Sequence, residues 1–322
     1  MNRKTMCPSF NLVNANRKAS VIFMAMIVAV IVTWLVHRNP RPLHDEAQKD
    51  HVSSSQTACI DGHDPWTNSK KSTESMSAQE MYQYLRWTNS SACQNAVDIG
   101  FSVMDYKGVI ASDGNKAVCF DRSITPDAGN CLVYSFGINN EWSFEDAMAK
   151  FSCQVYAFDP SMNVSDHDRS QFIHFFRLGL DGQDRLHPSK GWQMRTVTSI
   201  YDMLKSQHGE LALIDVLKID VEFAEWDALP QMANSGFLAD KVKQLVVEIH
   251  LEADVPLQVL RHRVQIIRNL EAKVQGSVGG FVRFSSRPNP FFPIPAQVSQ
   301  YKKGEIFIDL AWYNSRYFLP IV

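Results

Sequence analysis

Glycine is scarce where a nucleotide-binding chain would most need it. The 322 residues include 15 glycines and no G-x-G-x-x-G run. This excludes the dinucleotide fingerprint, in which three glycines let a pyrophosphate lie against the backbone. None of the six cysteines stands at C-x2-C spacing, so a structural zinc site is not expected. Basic charge is not in excess either. The formal net charge is −2, and Arg3, Lys4, Arg17 and Lys18 all precede residue 20 with no acid among them, so the rest of the chain is more acidic still. Nucleic acid is not an expected partner of such a surface. No internal repeat is present. The Asp166-His167-Asp168 match to a D-x-D metal motif falls in a polar stretch rather than at a strand end, which weighs against a glycosyltransferase.

One long apolar run is present. Ser20 to Val36 (SVIFMAMIVAVIVTWLV) carries no charge and is near the lower length limit for a membrane-spanning helix. Basic residues precede it, and Arg38 and Arg41 are soon offset by Asp45, Glu46 and Asp50. The positive-inside bias therefore puts the N-terminus in the cytosol. A cleaved signal peptide fits less well, because nineteen residues precede the run and no small-x-small pattern follows it. A buried core helix is the third reading. The expected organisation is a cytoplasmic tail over 1–19, a signal anchor over 20–36 and a polar, Ser/Thr- and Pro-containing stem over 37–75. A folded domain over 76–322 follows, divided into a cap of short strands (76–131) and a core (132–322).

A type II anchor places that domain in the secretory lumen, in the Golgi or another compartment of the pathway. The sequons Asn89-Ser90-Ser91 and Asn163-Val164-Ser165 and five cysteines beyond the anchor agree with a lumenal, disulfide-permitting environment. Cys119 with Cys131 is the first expected bridge and Cys59 with Cys93 the second, leaving Cys153 as a buried thiol.

The core is organised around Leu132 to Pro160 (LVYSFGINNEWSFEDAMAKFSCQVYAFDP). An apolar run closes on Gly137, and Ser143 with Asp146 resembles a capping box. Phe144, Met148 and Phe151 share a helical face. A second β-rich run, Gln154 to Phe158, is followed by Asp159. A glycine turn after one strand and an acid after the next is an arrangement that binds a nucleoside. With a single glycine, it suits a nucleoside without phosphates, such as S-adenosylmethionine. Further strands are expected at Phe172 to Leu180, Leu213 to Asp220 and Val242 to Ile249, with helices at Ser77 to Trp87, Val197 to Leu204 and Glu225 to Leu229, the last limited by Pro230. A longer amphipathic helix carries Leu257, Leu260, Val264, Ile267 and Leu270. Gly280 to Ser285 and Glu305 to Trp312 suit a closing antiparallel pair. Strands alternating with helices give an α/β, doubly wound Rossmann-like sheet.

Ligands of such sheets sit beyond the carboxyl ends of the strands, where Gly137, Asn139, Asp159, Asp220, Glu222 and Glu248 gather. Asp220 could hold a donor's amino group or orient an acceptor. His250 lies on the same strand face as Glu248 and is a candidate general base. Asp220, Glu248 and His250 could alternatively bind a divalent metal. His174 and His187 are candidates by residue type only. Trp142 and Trp226 are pocket-wall candidates, with core packing as the competing role.

Val133 to Met162 and Leu217 to Leu229 (LKIDVEFAEWDAL) resemble the methyltransferase-like protein 24 family, within the class I S-adenosylmethionine-dependent superfamily. LKIDVEFAEW also resembles FkbM-type methyltransferases, where a glycine often stands at the position of Phe223. The resemblance spans roughly Ser77 to Tyr313. It implies a seven-stranded methyltransferase sheet with a terminal β-hairpin and S-adenosylmethionine as the small-molecule donor. It also implies donor contacts from Phe136, Gly137, Asn139, Asp159 and Asp220, and a hydroxyl acceptor on a glycan or protein. Asp220, Glu248 and His250 are then the expected catalytic residues. The sequence departs from the superfamily's multi-glycine loop at Ile138-Asn139-Asn140. A non-catalytic module that binds a glycan or protein partner is the competing reading.

Overall fold

A computed structural model describes residues 71–106, 108–272, 280–292 and 305–318, all within one structural unit, Ile60–Val322. At its centre is an eight-stranded sheet. In spatial order its strands are Phe281–Pro288, Glu305–Asn314, Val242–Glu252, Ile214–Ile219, Leu132–Phe136, Gln154–Phe158, Ile173–Phe176 and the two-residue edge His167–Asp168. The middle five run parallel, with Tyr134 opposite Leu217 on one side and Tyr156 on the other. The three remaining strands join antiparallel. The expected seven strands are therefore present, with the short edge added.

Burial explains the composition of the middle strands. Leu132–Phe136 and Ile214–Ile219 are buried at every position, as parallel strands covered on both faces must be. One face carries Tyr134, Phe136, Leu217, Val247 and Trp312 beneath the helices Ala78–Arg86, Val197–His208, Glu225–Asn234 and Leu257–Glu271. The other carries Val133, Val155, Val216 and Val246. It is covered by the helix Ser143–Lys150 and by cap residues including Ala117, Val118 and Ile124. In the cap, Ala96–Ile99 pairs with Lys116–Cys119, and Ser102–Tyr106 pairs with Val109–Asp113.

Helix ends follow the sequence in part. Ser77 and Glu80 form the reciprocal capping box. Ser143 does not cap. It is the first residue of its helix, and its Oγ accepts from Phe101 N at 2.8 Å, tying the cap to the core. The helix from Glu225 runs through Pro230 to Asn234. Ala228, Leu229 and Met232 are fully buried around the proline, and this packing outweighs one missing backbone bond. Phe172 to Leu180 is not one strand. After Phe176 the chain leaves the main sheet, and Gly179–Leu180 joins a three-stranded sheet with Gln193–Arg195 and Arg185–Leu186.

The disulfides are Cys93–Cys119 and Cys131–Cys153, not the pairs expected. Proximity along the chain is the wrong guide here, because strand register decides. Ala96 lies opposite Cys119, and Leu132 lies opposite Gln154. Each pair of cysteines is thereby brought to the ends of neighbouring strands, with Cα atoms 6.0 and 4.6 Å apart. Cys153 is bonded rather than a free thiol. Cys59 lies outside the described residues, as does the run Ser20 to Val36. Among the described residues, no helix is long and apolar enough to cross a membrane.

A non-reduced digest is expected to yield the Cys93–Cys119 and Cys131–Cys153 peptides. Cys131→Ser should destabilise the domain by about 2–4 kcal/mol, read by urea unfolding. Recovery of a Cys119–Cys131 peptide would contradict the register argument.

Candidate functional site

The parallel strands end on a cleft of about 660 Å³, within the size range of small-molecule sites. Its floor is the turn after Leu132–Phe136. Gly137 has φ +81, and its N–H donates to Phe158 O at 2.9 Å. A Cβ there would lie 1.6 Å from the carbonyl oxygen of Asp220, so only glycine fits between the two strand ends. The multi-glycine loop is absent in sequence, but its left-handed backbone is present. Asn139 and Asn140 have φ +46 and +61, a conformation asparagine adopts more readily than most residues. Glu222 and Phe223 also have positive φ, +53 and +77. That conformation gives a physical reason for the glycine common at the position of Phe223 in FkbM-type sequences.

Asp159 fastens this loop. Its Oδ2 accepts from Ile138 N at 2.9 Å and Asn139 N at 2.8 Å, and its Oδ1 accepts from Ser161 N at 2.8 Å and Ser161 Oγ at 2.6 Å. Consecutive amides that would otherwise form an anion nest thus already face a carboxylate. From below, Lys218 Nζ donates to Gly137 O at 2.7 Å and lies 3.6 Å from the buried Glu145, which accepts from Ser135 Oγ.

The opposite wall joins Asp220, Glu248 and His250 to residues the sequence did not single out. Lys116 comes from the cap strand. Its Nζ lies 2.7 Å from Glu248, 2.5 Å from Asp309 and 3.4 Å from Asp220. Asn289 Nδ2 donates to Glu248 Oε1 at 2.9 Å. His250 Nε2 is 3.6 Å from Asp220, and its Nδ1 is 3.2 Å from the fully buried Glu225, which also accepts from His250 N at 2.8 Å. Asp220 keeps 27% of its side chain exposed to the cleft, whereas Lys116 keeps 2%. Asp220 is therefore the acid of this wall most open to a ligand, and Lys116, although it borders the cleft, has its ammonium taken up by its carboxylate neighbours.

Charge in this wall is unevenly held. Burial pushes Asp220 up, but Lys116, Lys218 and His250 outweigh it and hold the carboxyl at about 2. Burial and then the Asp220 charge push Glu248 up to about 8. Burial alone would lower His250, but the hydrogen bond and charge of Glu225, then Asp220 and Glu248, raise it to about 9. A histidine so held is an imidazolium at neutral pH and donates rather than accepts a proton, which counts against the general-base role expected for His250. The metal alternative also fails on geometry, because Lys116 Nζ stands among the carboxylates. Among the described residues, the only atoms clustered closely enough to hold an ion belong to Cys93, Cys119 and Asp121, and both cysteines are disulfide-bonded.

Gly137, Asn139, Asp159, Asp220, Glu248 and His250 all line the cleft. Phe136 does not line it. Its ring is fully buried and stacks on Phe158 at 4.6 Å, and only its backbone serves the site, accepting from Asp220 N at 3.0 Å. Trp226 Nε1 holds His250 O at 2.9 Å, and Trp142 packs on Phe175. Neither indole lines the cleft, so both take structural roles. His174 pairs with Asp168 at the sheet edge, whereas His187 sits at the cleft beside Trp192. Lys116, Glu225, Asp309 and Asn289 escaped sequence reasoning. Asp309, an acid within the apolar run IFIDLAWY, was the one detectable signal, since a charge in a buried strand demands a partner.

A parallel sheet with a glycine turn after its first strand, an acid after its second and an antiparallel closing pair is a methyltransferase-type fold. The chain belongs to the family described as a methyltransferase domain, which matches residues 53–291. It is 29% identical over 225 residues to a human protein named probable methyltransferase-like protein 24, covering 65% of this chain and 58% of that protein. To the rat protein of the same name it is 32% identical over 151 residues, covering 44% and 41% respectively. The chain thus spans little more than half the length of the human relative.

Gly137→Ala should destabilise the domain by about 2 kcal/mol or more, whereas Asn139→Gly, which keeps the backbone accessible, should stay within about 1 kcal/mol. Equal effects in urea unfolding would remove the close-approach argument. His250 is raised from 6.5 to about 9 and Glu248 from 4.5 to about 8. The folded state therefore binds extra protons, and the stability they confer is lost as pH rises through those values. The thermal midpoint should fall from about pH 4.5, where Glu248 of the unfolded chain ionises, to about pH 9, and Glu225→Gln should flatten the upper part of that fall by freeing His250.

Proposed function

We propose that the protein is a membrane-anchored, S-adenosylmethionine-dependent methyltransferase of the secretory pathway that transfers a methyl group to a hydroxyl on a glycan or protein. The observation that carries the donor reading is the Asp159 carboxylate across the Gly137 turn. With the loop amides engaged by Asp159, the turn offers nothing to a pyrophosphate and suits a nucleoside. Four donors fill the four acceptor positions of Asp159, and of these only the Ser161 hydroxyl can rotate away. A ribose hydroxyl takes its place without disturbing the loop. Asn139 and Asp220 line the same cleft and suit the amino-acid end of the donor. When bound, the donor supplies an electrophilic methyl group.

The remaining work belongs to the chain's own residues. Methyl transfer needs two reactants held in line and a proton removed from the acceptor. Asp220, ionised and facing the cleft, orients. Glu248, raised to about 8, holds its proton at neutral pH and becomes the base that His250 does not supply only as pH approaches 8.

The anchor reading rests on Ser20 to Val36 and its basic flank, and two disulfides support an oxidising compartment. Asn163, in the second sequon, is exposed. A second reading, a non-catalytic module binding a glycan or protein, is favoured by the same saturation of Asp159, because the loop is complete without a ligand.

Calorimetry with S-adenosylmethionine separates the two. The parent should bind, Asp159→Ala should lose roughly tenfold or more of its affinity, and Ser161→Ala should bind as well as the parent or better. No heat with the parent would leave the binding-module reading. For topology, endoglycosidase treatment of protein from secretory cells should increase gel mobility, and no mobility change would count against a lumenal body.

A further inference from the structure

Lys116 occupies an unusual place: it is fully buried, yet it lies beside three acids that come from three different strands or strand ends. Asp220 ends the strand Ile214–Ile219, Glu248 lies in Val242–Glu252 and Asp309 in Glu305–Asn314. The distances from the ammonium, 3.4, 2.7 and 2.5 Å, describe a cation with carboxylates as its coordination sphere. A divalent ion in an oxygen site needs the same oxygens at about 2.0–2.6 Å, so metal and ammonium cannot share the position.

We propose that Lys116 is the resident cation of this site, taking the position among the carboxylates that a divalent ion would need and positioning Asp220 and Glu248 for metal-independent chemistry. The cation itself is a claim about the folded protein. Only the chemistry it serves rests on the methyltransferase reading.

The way the lysine is delivered supports this role. Lys116 opens the strand Lys116–Cys119, whose far end is fixed three times over. Cys119 N donates to Gln244 Oε1 at 2.8 Å, Gln244 Nε2 donates back to Cys119 O at 2.9 Å, and Cys119 is bonded to Cys93. At the near end, Arg287 Nη2 donates to Asn115 O at 3.1 Å and Arg287 pairs with Asp98. A side chain with four rotatable bonds is thus carried on a backbone held at both ends. The fixed ammonium also sets the charge of its surroundings. Without it, Asp220, Glu248 and Asp309 would share a dry wall in which His250, Lys218 and Arg287 are the remaining cations acting on them. Removing one member of such a buried pair leaves uncompensated charge. Carboxylate oxygens are the preferred ligands of a divalent ion, so one can replace the ammonium once the three acids, which the lysine holds too far apart to bind an ion as they stand, close together. Lys116 is a positioning residue rather than a catalytic one, since its ammonium is taken up by the three carboxylates.

The test uses the whole 322-residue chain and Mn2+ as probe. By calorimetry the parent should take up no stoichiometric Mn2+, and a chelator should leave its S-adenosylmethionine affinity unchanged. Lys116→Ala should acquire a Mn2+ site that disappears again in Lys116→Ala/Asp309→Asn. It should also lose roughly 10–100-fold in donor affinity, recovered in part by Mn2+ and retained more fully by Lys116→Arg. A parent that binds Mn2+ stoichiometrically and loses it on Asp309→Asn overturns the proposal, and this arm decides the matter even if Lys116→Ala does not fold. A folded Lys116→Ala that neither takes Mn2+ nor loses donor affinity overturns it as well. The Mn2+ titrations are read without donor. A parent that binds no S-adenosylmethionine therefore refutes the methyltransferase reading and leaves the cation to be judged on its own.

Discussion

The site depends on how closely two neighbouring parallel strands approach as they end. Leu132–Phe136 and Ile214–Ile219 lie side by side at the point where the strand order reverses, the place at which an open α/β sheet forms its crevice. Gly137 turns there against the carbonyl of Asp220, with no room for a side chain, while Asp220 N bonds Phe136 O and Lys218 bonds Gly137 O. The turn and the acid are therefore placed together. Asp159 then closes over the turn from the second strand, and the cleft lies above all three.

Charge is the second constraint, and it explains the cap. A sheet that gathers Asp220 at a strand end beside Glu248 and the Asp309 opposite it in the antiparallel neighbour concentrates acids where solvent is excluded, an arrangement that is costly unless paired. The neutralising lysine does not come from the sheet. It comes from the N-terminal strand pair, which covers the face that would otherwise be guarded by the helix Ser143–Lys150 alone. Gln244, the Cys93–Cys119 bond and Arg287 hold that strand in place. The cap is thus part of the site's electrostatics as well as a cover for the core. On the other side of the cleft, Glu225 does for His250 what Lys116 does for Glu248, giving a buried ionisable group a fixed partner.

The family resemblance is carried by backbone requirements as much as by side chains. Where other sequences place glycines, this chain has Asn139, Asn140 and Phe223, each at positive φ. Asparagine tolerates that geometry. Phenylalanine there is strained, and such strain persists where the surroundings over-determine it. Here the ring of Phe223 lies against His250 and Arg263, which places the strain at the wall of the cleft.

The central strands, the Gly137 turn, the acid at Asp159 and the acids at Asp220 and Glu248 were legible because local rules fix them. An apolar run buried on both faces, a glycine required by φ and an acid at a strand end all leave marks within a few residues. The disulfides, Lys116, Glu225, Asn289 and the burial of Phe136 left no such marks. Lys116 and Asp309 are 193 residues apart in sequence, and only the register of two sheets brings them within 2.5 Å. Cys131 meets Cys153 for the same reason. The sequence alone determined which strands exist and what their ends carry. The tertiary structure decided which of those ends face one another, and so which charges are neutralised, because pairing depends on register and packing between segments that no local pattern records.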